Sequence, residues 1–216
     1  MSTVATRPVF EKVTDYRDAL DARADRVRFV DLPECRDFAV DGAGAPGGDA
    51  FQAAFRILYP VAYTLHFALK RRGIAASVGV LEGIFWSDDA ETLKPAVFLD
   101  HDRATLAWRW SLRLPVPPEA TEAEIAAAIA DVGRKPSAPP LDALSVVTWA
   151  EGRAAQVLHI GPYEAEPPTI ERLHETITAS GLTARGRHHE IYISDPNRTA
   201  PEHLKTVIRQ PVEDAP

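Results

Sequence analysis

Hydrophobic and polar positions alternate in some stretches of this chain and recur at helical spacing in others. From Arg36, apolar and polar residues alternate, which predicts a strand that ends in a glycine-rich loop over 42–48. Apolar residues at steps of three and four then predict a long amphipathic helix from Asp49, which is the expected N-cap, to Gly73. Pro60 lies inside this helix and lacks an N–H, so we expect a kink or a break into two helices.

The rest of the first half predicts two more strands and a short helix. Apolar residues lie two apart over 77–86 and again over 104–114, which is typical of strands. An alanine-rich run over 121–132 carries acidic residues near its start and predicts a capped helix. A proline-rich linker over 135–141 follows it.

The second half repeats this order. It predicts strands over 154–160, 187–194 and 205–212, and a helix over 169–180 that Gly181 ends. Each half therefore contains strand, helix, strand, strand. We interpret the halves as an internal repeat whose exact register stays open.

This repeat predicts an α+β fold of two pseudo-symmetric strand-helix-strand-strand modules with a groove between them. We expect an N-terminal extension over 1–30, with at most one surface helix near 14–25 and little chemistry. A single domain then covers 31–214. Module one spans about 34–134 and module two about 145–212.

Composition narrows the function classes. With 216 residues, 45% hydrophobic and 25% charged, the chain can bury a core, and no apolar run approaches the roughly 20 residues of a spanning helix. The N-terminus lacks an apolar signal core, so we expect a cytoplasmic protein that does not bind membranes. A net charge of −7 disfavours nucleic acid as a partner. The single cysteine, Cys35, excludes an internal disulfide and a cysteine-rich zinc site.

Candidate chemistry follows from the alternation of strand side chains. His188, Glu190 and Tyr192 share one face of their strand, while the opposite face carries His189 and aliphatic residues typical of a core. Glu190 is therefore expected to point away from the core. A solvated strand residue is the alternative interpretation.

The first half carries a similar combination. Glu82 and Trp86 share a face of one predicted strand, and Trp108 and Trp110 share a face of the next. These tryptophans are either core residues or the walls of a cleft. A carboxylate among aromatic rings would attract flat cations, and desolvation would raise its pKa toward the range of a general base.

A metal site is not favoured, and no cofactor is expected. Only His188 and Glu190 of the His188-His189-Glu190 sequence could share an ion, because adjacent strand residues face opposite ways. No HExxH, Walker, Rossmann or GxSxG motif is present. Tyr163 follows a predicted turn and either caps the core or places its hydroxyl at the mouth of the groove.

Several motifs together resemble the stand-alone GyrI-like small-molecule-binding proteins, from about Val27 to Val212. The resemblance is carried by residues 42–46, 58–70, 81–83, 159–164 with 166–170, and 188–196. It implies a barrel-like fold of the GyrI-like or SOUL type, with two modules around a ligand groove. The implied ligands are bulky, flat and often cationic drugs.

The same resemblance implies site residues. It implies that Glu190 and Glu82 form the acidic floor of the groove. Aromatic side chains would form its walls and rim, namely Trp86, Trp108, Trp110, Tyr163 and Tyr192. Some relatives are effector domains of transcription regulators, but about 30 residues ahead of the first predicted strand are too few for a helix-turn-helix domain.

Other stand-alone relatives are cyclopropanoid cyclopropyl hydrolases, which open the strained ring of DNA-alkylating compounds with water. For this chemistry we hypothesise that Glu190 orients or deprotonates the water, and that Tyr163, Tyr192 or His188 binds the developing phenolate. A drug-sequestering protein without turnover is the main alternative. A protein-binding modulator is a third, and a homodimer through edge strands stays open.

Overall fold

The computed structural model describes residues 7–88, 90, 92–95 and 107–216. Within them lie four α-helices: α1 (Tyr16–Ala19), α2 (Asp49–Arg71), α3 (Glu122–Gly133) and α4 (Pro167–Ala179). The strands are β1 (Glu11–Lys12), β2 (Arg28–Ala43), β3 (Glu82–Ser87), β4 (Trp108–Pro115), β5 (Leu144–Ile160), β6 (Leu182–Ala184), β7 (His188–Tyr192) and β8 (Lys205–Asp214). Short 3-10 turns cover Tyr163–Ala165 and Pro201–His203.

Six of the strands close into a ring. Its order is β2, β4, β3, β7, β8, β5 and back to β2, and every one of these pairings is antiparallel. Residues Arg28 to Val40 of β2 pair with β5, and residues Asp37 to Ala43 of β2 pair with β4 on its other side. The ring satisfies the backbone of its strands without leaving a long open edge.

The two halves of the chain contribute equivalent strands to the ring. β2, α2, β3 and β4 come from the first half, and β5, α4, β7 and β8 follow the same order in the second. β3 pairs with β7, and β2 pairs with β5, as expected for two pseudo-symmetric modules. The predicted fold class is confirmed. In the part of the chain that the structure describes, β1 and β6 are the edge strands, and both are too short to offer much backbone for pairing between chains.

Helices cover the outer face of the ring. α2 buries an apolar stripe against β2 and β4, including Phe51, Leu58 and Leu65. α2 continues through Pro60, so the predicted break into two helices is wrong. α3 begins with the capping box of Thr121 and Glu124, as its sequence predicts.

Some strands are longer or shorter than their patterns predict. β2 begins at Arg28 rather than Arg36, and β5 begins at Leu144 rather than Ala154. The first half of β5 is largely exposed, so its sequence lacks a strong apolar signal. β3 covers only the end of the stretch predicted over 77–86. Positions 104–106 of another predicted strand lie outside the described residues.

The N-terminal segment covers one end of the ring. α1 lies inside the stretch where a single helix is predicted. Buried side chains of the ring bind its carbonyl oxygens: Arg209 Nη2 donates to Ala19 O at 2.7 Å, and Gln156 Nε2 donates to Asp21 O at 2.7 Å. The segment is therefore anchored to the inside of the ring and does more than lie on its surface.

Candidate functional site

A large groove lies on the outer face of the ring, above β3 and β7. Its volume is about 980 Å³. One wall is the N-terminal part of α2, and the other is the turn that precedes α4. We call this cavity the groove, and its lining comes from residues 45–47, Phe51, Gln52, Phe55, Tyr59, Tyr63, 78–81, Phe85, Trp108, Tyr163, Glu164, Glu166, Glu190 and 192–197.

The floor of the groove is set by the alternation of β7. Glu190 pairs with Gly83 across the sheet, so the carboxylate points to the outer face where Gly83 has no side chain. A Cβ on Gly83 would lie 2.7 Å from Phe85 Cε2 and 3.1 Å from the Tyr192 hydroxyl. Glycine at this position therefore leaves room for the aromatic rings beside Glu190.

Two side chains of the same strand hold the Glu190 carboxylate. The Tyr192 hydroxyl donates to Oε2 at 2.9 Å, and His188 Nε2 lies 3.1 Å from Oε1. His188 is fully buried, while 13% of the Glu190 side chain is exposed. Burial and the charge of Glu190 raise the pKa of Tyr192 well above its ordinary value, so its hydroxyl remains a donor. Glu190 is thus fixed in orientation and still reachable from the groove.

Aromatic rings form most of the walls. α2 presents four of them at four-residue spacing, which places them on one side of the helix: Phe51, Phe55, Tyr59 and Tyr63. Further rings come from the sheet and the turn, where Phe85 packs edge-on to Trp108 at 6.4 Å and Tyr163 packs edge-on to Tyr192 at 5.7 Å. Such walls bind flat apolar and cationic molecules.

The aromatic side of α2 was missed by sequence reasoning, which took the apolar residues of this helix as core. The signal that could have found it is the spacing of Tyr59 and Tyr63 behind Phe51 and Phe55. Tyrosine hydroxyls are poorly suited to a closed core, so a stripe of this kind indicates a wall exposed to a cavity. Tyr63 is half exposed.

The electrostatic character of the groove is acidic. Its charged lining residues are Glu164, Glu166, Glu190 and Asp195, and none of the described residues that line it is a lysine, arginine or histidine. Burial, with the charges of Glu166 and Glu190, raises the pKa of Tyr163 to about 12. The Tyr163 hydroxyl therefore stays protonated at neutral pH. The groove is suited to an organic cation.

The structure does not bring all the predicted site residues together. Trp108, Tyr163, Glu190 and Tyr192 line the groove, and His188 lies beneath Glu190. Trp110 is 1% exposed and packs edge-on to Phe51 at 5.2 Å, so it belongs to the core behind the groove wall.

Glu82 and Trp86 require a correction. Glu82 pairs with Ile191 on β7, so both point to the inner face of the ring, opposite to Glu190. Trp86 shares that face, and the guanidinium of Arg187 lies 3.7 Å from its ring centroid. The expectation that one groove holds both glutamates fails because the strands alternate between two separate environments.

On the inner face, Glu82 belongs to a buried ionic network. His189 Nε2 lies 3.0 Å from Glu82 Oε2, and His189 Nδ1 lies 3.0 Å from Glu151 Oε1. Arg209 Nη1 donates to Glu151 Oε2 at 2.9 Å. The Tyr16 hydroxyl of α1 donates to Glu82 Oε1 at 3.3 Å. Carboxylates on both ring nitrogens require His189 to donate from both, as an imidazolium does.

The pKa values of this network agree with its geometry. Burial opposes the charged form of His189, but the charge and hydrogen bond of Glu151, with those of Glu82, outweigh burial and raise its pKa to about 9. Burial likewise opposes ionised Glu151, but His189 and Arg209 lower its pKa to about 2. The network is therefore a set of compensated charges inside the ring.

Two further observations on the part of the chain that the structure describes concern metal ligands and helix length. No group of three or more histidine, cysteine, aspartate or glutamate side chains there has the arrangement needed to hold a metal ion. None of the described helices is long and apolar enough to span a membrane.

Comparison with known proteins places the chain among related folds. A family model described as the GyrI-like small molecule binding domain matches residues 112–213. An uncharacterised conserved protein from Listeria innocua is 31% identical, over 89% of this chain and 94% of that one, with a TM-score of 0.76. No curated protein matches this chain.

Two further solved structures from Listeria innocua are each described as a hydrolase. One is 28% identical over 91% of this chain and 96% of its own, with a TM-score of 0.73. The other is 27% identical over 92% of this chain and 96% of its own, with a TM-score of 0.75. Their likeness extends over almost the whole length of both chains.

Proposed function

We propose, because this chain belongs to the family of GyrI-like small-molecule-binding domains, that its groove binds flat aromatic cations and hydrolyses cyclopropanoid alkylating compounds. The observation that carries the proposal is the Glu190 carboxylate. It lies on the floor of an aromatic groove in which the charged lining residues are acidic. The two similar Listeria innocua proteins that are described as hydrolases support the catalytic part.

Binding follows from the walls and the floor together. A flat cation placed between α2 and β7 would contact the faces of Tyr59 and Trp108 and lie above Glu190. Each contact of a cation with an aromatic face contributes about 0.5 to 2 kcal/mol, depending on how far it is desolvated. A volume of about 980 Å³ accommodates a drug-sized molecule.

Hydrolysis would use the same carboxylate as a base. A water molecule held by Glu190 attacks the less substituted carbon of a spirocyclopropyl cyclohexadienone. The new C–O bond forms as the cyclopropane C–C bond breaks, and its electron pair moves into the dienone, which becomes a phenolate. The proton of the water passes to Glu190 and then to the phenolate oxygen, so the sum is addition of one water.

The chemistry also needs a donor for the developing phenolate oxygen. Tyr192 and His188 are both turned toward Glu190. Tyr163 also lines the groove, and its hydroxyl donates no hydrogen bond to another described residue. We therefore assign the phenolate donor to Tyr163 rather than to Tyr192 or His188.

The test counts product molecules for each protein molecule. Limiting protein is mixed with excess spirocyclopropyl compound in water labelled with oxygen-18, and labelled alcohol is measured by mass spectrometry against a protein-free reaction. We expect many turnovers in the native protein and a loss of about 100-fold or more in Glu190→Gln. Glu164→Gln removes a carboxylate from the rim of the groove and is the matched control.

Drug sequestration is the second candidate, and one observation favours it. Both oxygens of Glu190 already contact side chains of β7, as in a carboxylate that is held to bind a cation. In that case compound disappears only in proportion to the protein present, and no labelled alcohol forms. That result, or full turnover in Glu190→Gln, contradicts the hydrolase assignment.

A further inference from the structure

A second cavity opens at the end of the ring that the N-terminal segment covers. Its volume is about 720 Å³, and it is bounded by residues 13–16, 19–20, 32–37, 75–77, Gly79 and 115–119. We call it the mouth cavity. It shares only Gly79 with the lining of the groove, and its floor is the inner face of the ring. The mouth cavity is therefore separate from the groove, because the sheet lies between them.

Asp37 is the acidic group on the floor of the mouth cavity that is least satisfied. The residue is 1% exposed, and its Oδ2 accepts the indole N–H of Trp149. The nearest cation, Arg113 Nη1, lies 3.7 Å from Oδ2, which is beyond hydrogen-bond length. Among the described residues, Oδ1 of Asp37 accepts no hydrogen bond. Oδ1 is not fully enclosed by protein atoms, so it can accept a hydrogen bond from a molecule in the cavity, and a carboxylate this deeply buried favours such a donor.

The surroundings of Asp37 reinforce this demand. Burial and the charge of Glu82 raise the pKa of Asp37 to about 6. Glu82 and Glu151 also line the cavity, where their oxygens contact Tyr16, His189 and Arg209. The network is thus balanced by its own cations, while Asp37 keeps an open acceptor.

The rim of the mouth cavity carries more acidic than basic residues. Asp15, Glu34 and Glu119 lie along it, and Arg36 is the basic residue among the described rim positions. Arg36 is engaged elsewhere, since Nη1 contacts Glu122 Oε1 at 2.5 Å and Nη2 donates to a backbone carbonyl oxygen. The field at the opening therefore favours a positive ligand.

The walls are apolar and aromatic. Leu20, Leu32 and Pro115 line the cavity together with the rings of Trp149 and Tyr16. This combination of apolar walls with a few convergent polar groups is typical of a small-molecule site.

We infer that the mouth cavity is a second binding site, which takes a small primary ammonium ion with an apolar or aromatic body. The ammonium N–H groups donate to Asp37 Oδ1, and the body contacts the apolar wall around Trp149. Charge-assisted hydrogen bonds of this kind are about twice as strong as neutral ones. The site takes smaller ligands than the groove and is independent of any chemistry at Glu190.

The indole N–H of Trp149 provides a direct reporter, because it donates to the same carboxylate. Four tryptophans give four indole signals in a proton-nitrogen correlation spectrum, and Trp149→Phe identifies the one that belongs to Trp149. The native protein is titrated with benzylammonium, and separately with benzyl alcohol as the neutral match. Ethidium is added first to fill the groove.

We expect benzylammonium to shift the Trp149 signal in a saturable way and benzyl alcohol to leave it unchanged. Asp37→Asn should weaken the binding at least tenfold, whereas Glu190→Gln should not change it. No saturable shift in the native protein overturns the inference, and so does an equal shift with benzyl alcohol.

A second variant covers the case in which Asp37→Asn fails to fold. Ala75 is exposed at the rim, so Ala75→Phe narrows the opening without replacing a buried group. It should weaken benzylammonium binding at least threefold and leave ethidium binding in the groove unchanged. Native affinity for benzylammonium in this variant means that the probe binds elsewhere, and the inference fails.

Discussion

Strands β3 and β7 each carry one glutamate, and the two carboxylates have opposite surroundings. Glu190 lies in an open groove, where a tyrosine hydroxyl and a histidine of its own strand hold it. Glu82 lies inside the ring, where it contacts the His189 imidazolium and the Tyr16 hydroxyl. Successive side chains of a strand point to opposite faces of the sheet. On β7, Glu190 is therefore an accessible acid on the outer face, while the adjacent His189 forms a structural ion pair on the inner face.

This difference separates function from stability. The inner network should contribute to the free energy of unfolding, because its charges are buried and each one compensates another. The outer face should determine what binds, because its acids are reachable and its aromatic rings surround a cavity. Substitutions on the two faces of the same strands should therefore have different consequences.

The largest expected effect comes from the inner network. Glu151→Gln leaves Arg209 and His189 without their shared carboxylate, and we expect a loss of about 3 to 5 kcal/mol in the free energy of unfolding. Urea unfolding followed by circular dichroism measures it. Glu122→Gln removes an exposed partner of Arg36 and should change stability by less than about 1 kcal/mol. A loss of that small size in Glu151→Gln would contradict a structural role.

The pH dependence of stability tests His189. Its pKa is about 9 in the folded protein, against an ordinary histidine value of 6.5, so the imidazolium stabilises the fold fully below about pH 6.5. That contribution is lost as pH rises through about 9, with a fall of about 3 kcal/mol.

In His189→Gln this alkaline fall should be absent, because the titrating group is gone. Unfolding free energies between pH 6 and 10 in the native protein and the variant provide the comparison. His203→Gln, at an exposed position, is the control and should keep the native profile. An unchanged alkaline limb in His189→Gln would show that another group causes the fall.

Gly83 sits on the outer face, where space rather than charge is critical. Gly83→Ala places a methyl group 2.7 Å from Phe85 Cε2, and we expect a loss of about 1 to 3 kcal/mol with weaker ethidium binding. Thermal unfolding and a fluorescence titration measure the two effects. Gly133→Ala, whose Cβ would make an ordinary 3.6 Å contact inside a helix, should not lower stability and should leave ethidium binding unchanged. Native behaviour of Gly83→Ala would mean that the rings beside Glu190 can move aside.

The smallest expected effect concerns the rim of the groove. Tyr63→Leu removes one aromatic face from the wall, which should weaken ethidium binding by about 0.5 to 1 kcal/mol, or up to about fivefold. Phe67 is the next ring on the same side of α2 and lies outside the lining of the groove. Phe67→Leu should therefore leave the affinity unchanged. Equal losses in both variants would extend the binding surface along α2.

Much of the fold could be predicted from periodicity. The pattern of α2 indicated its position, and the alternation in both halves indicated the repeated order of elements. Element ends were less certain. β5 begins ten residues before its predicted start, at Leu144 rather than Ala154, because its exposed first half has no strong apolar signal.

The candidate site was only partly predictable. Alternation along β7 predicts that Glu190 and Tyr192 share a face, and both line the groove. The aromatic side of α2 was missed because a helical stripe of apolar residues reads equally well as core. Trp110 was expected in the groove, but it packs against Phe51 behind the wall.

The sequence by itself determined which residues share a strand face, because alternation is a local property of an extended chain. It did not determine which face lies inside. That depends on the closure of the ring, in which Phe38 pairs with Val146 across more than a hundred residues. Closure of the ring placed Glu82 beside His189 on the inner face and Glu190 in the groove. The local sequence pattern around the two glutamates is similar, so only this long-range strand pairing distinguishes their surroundings.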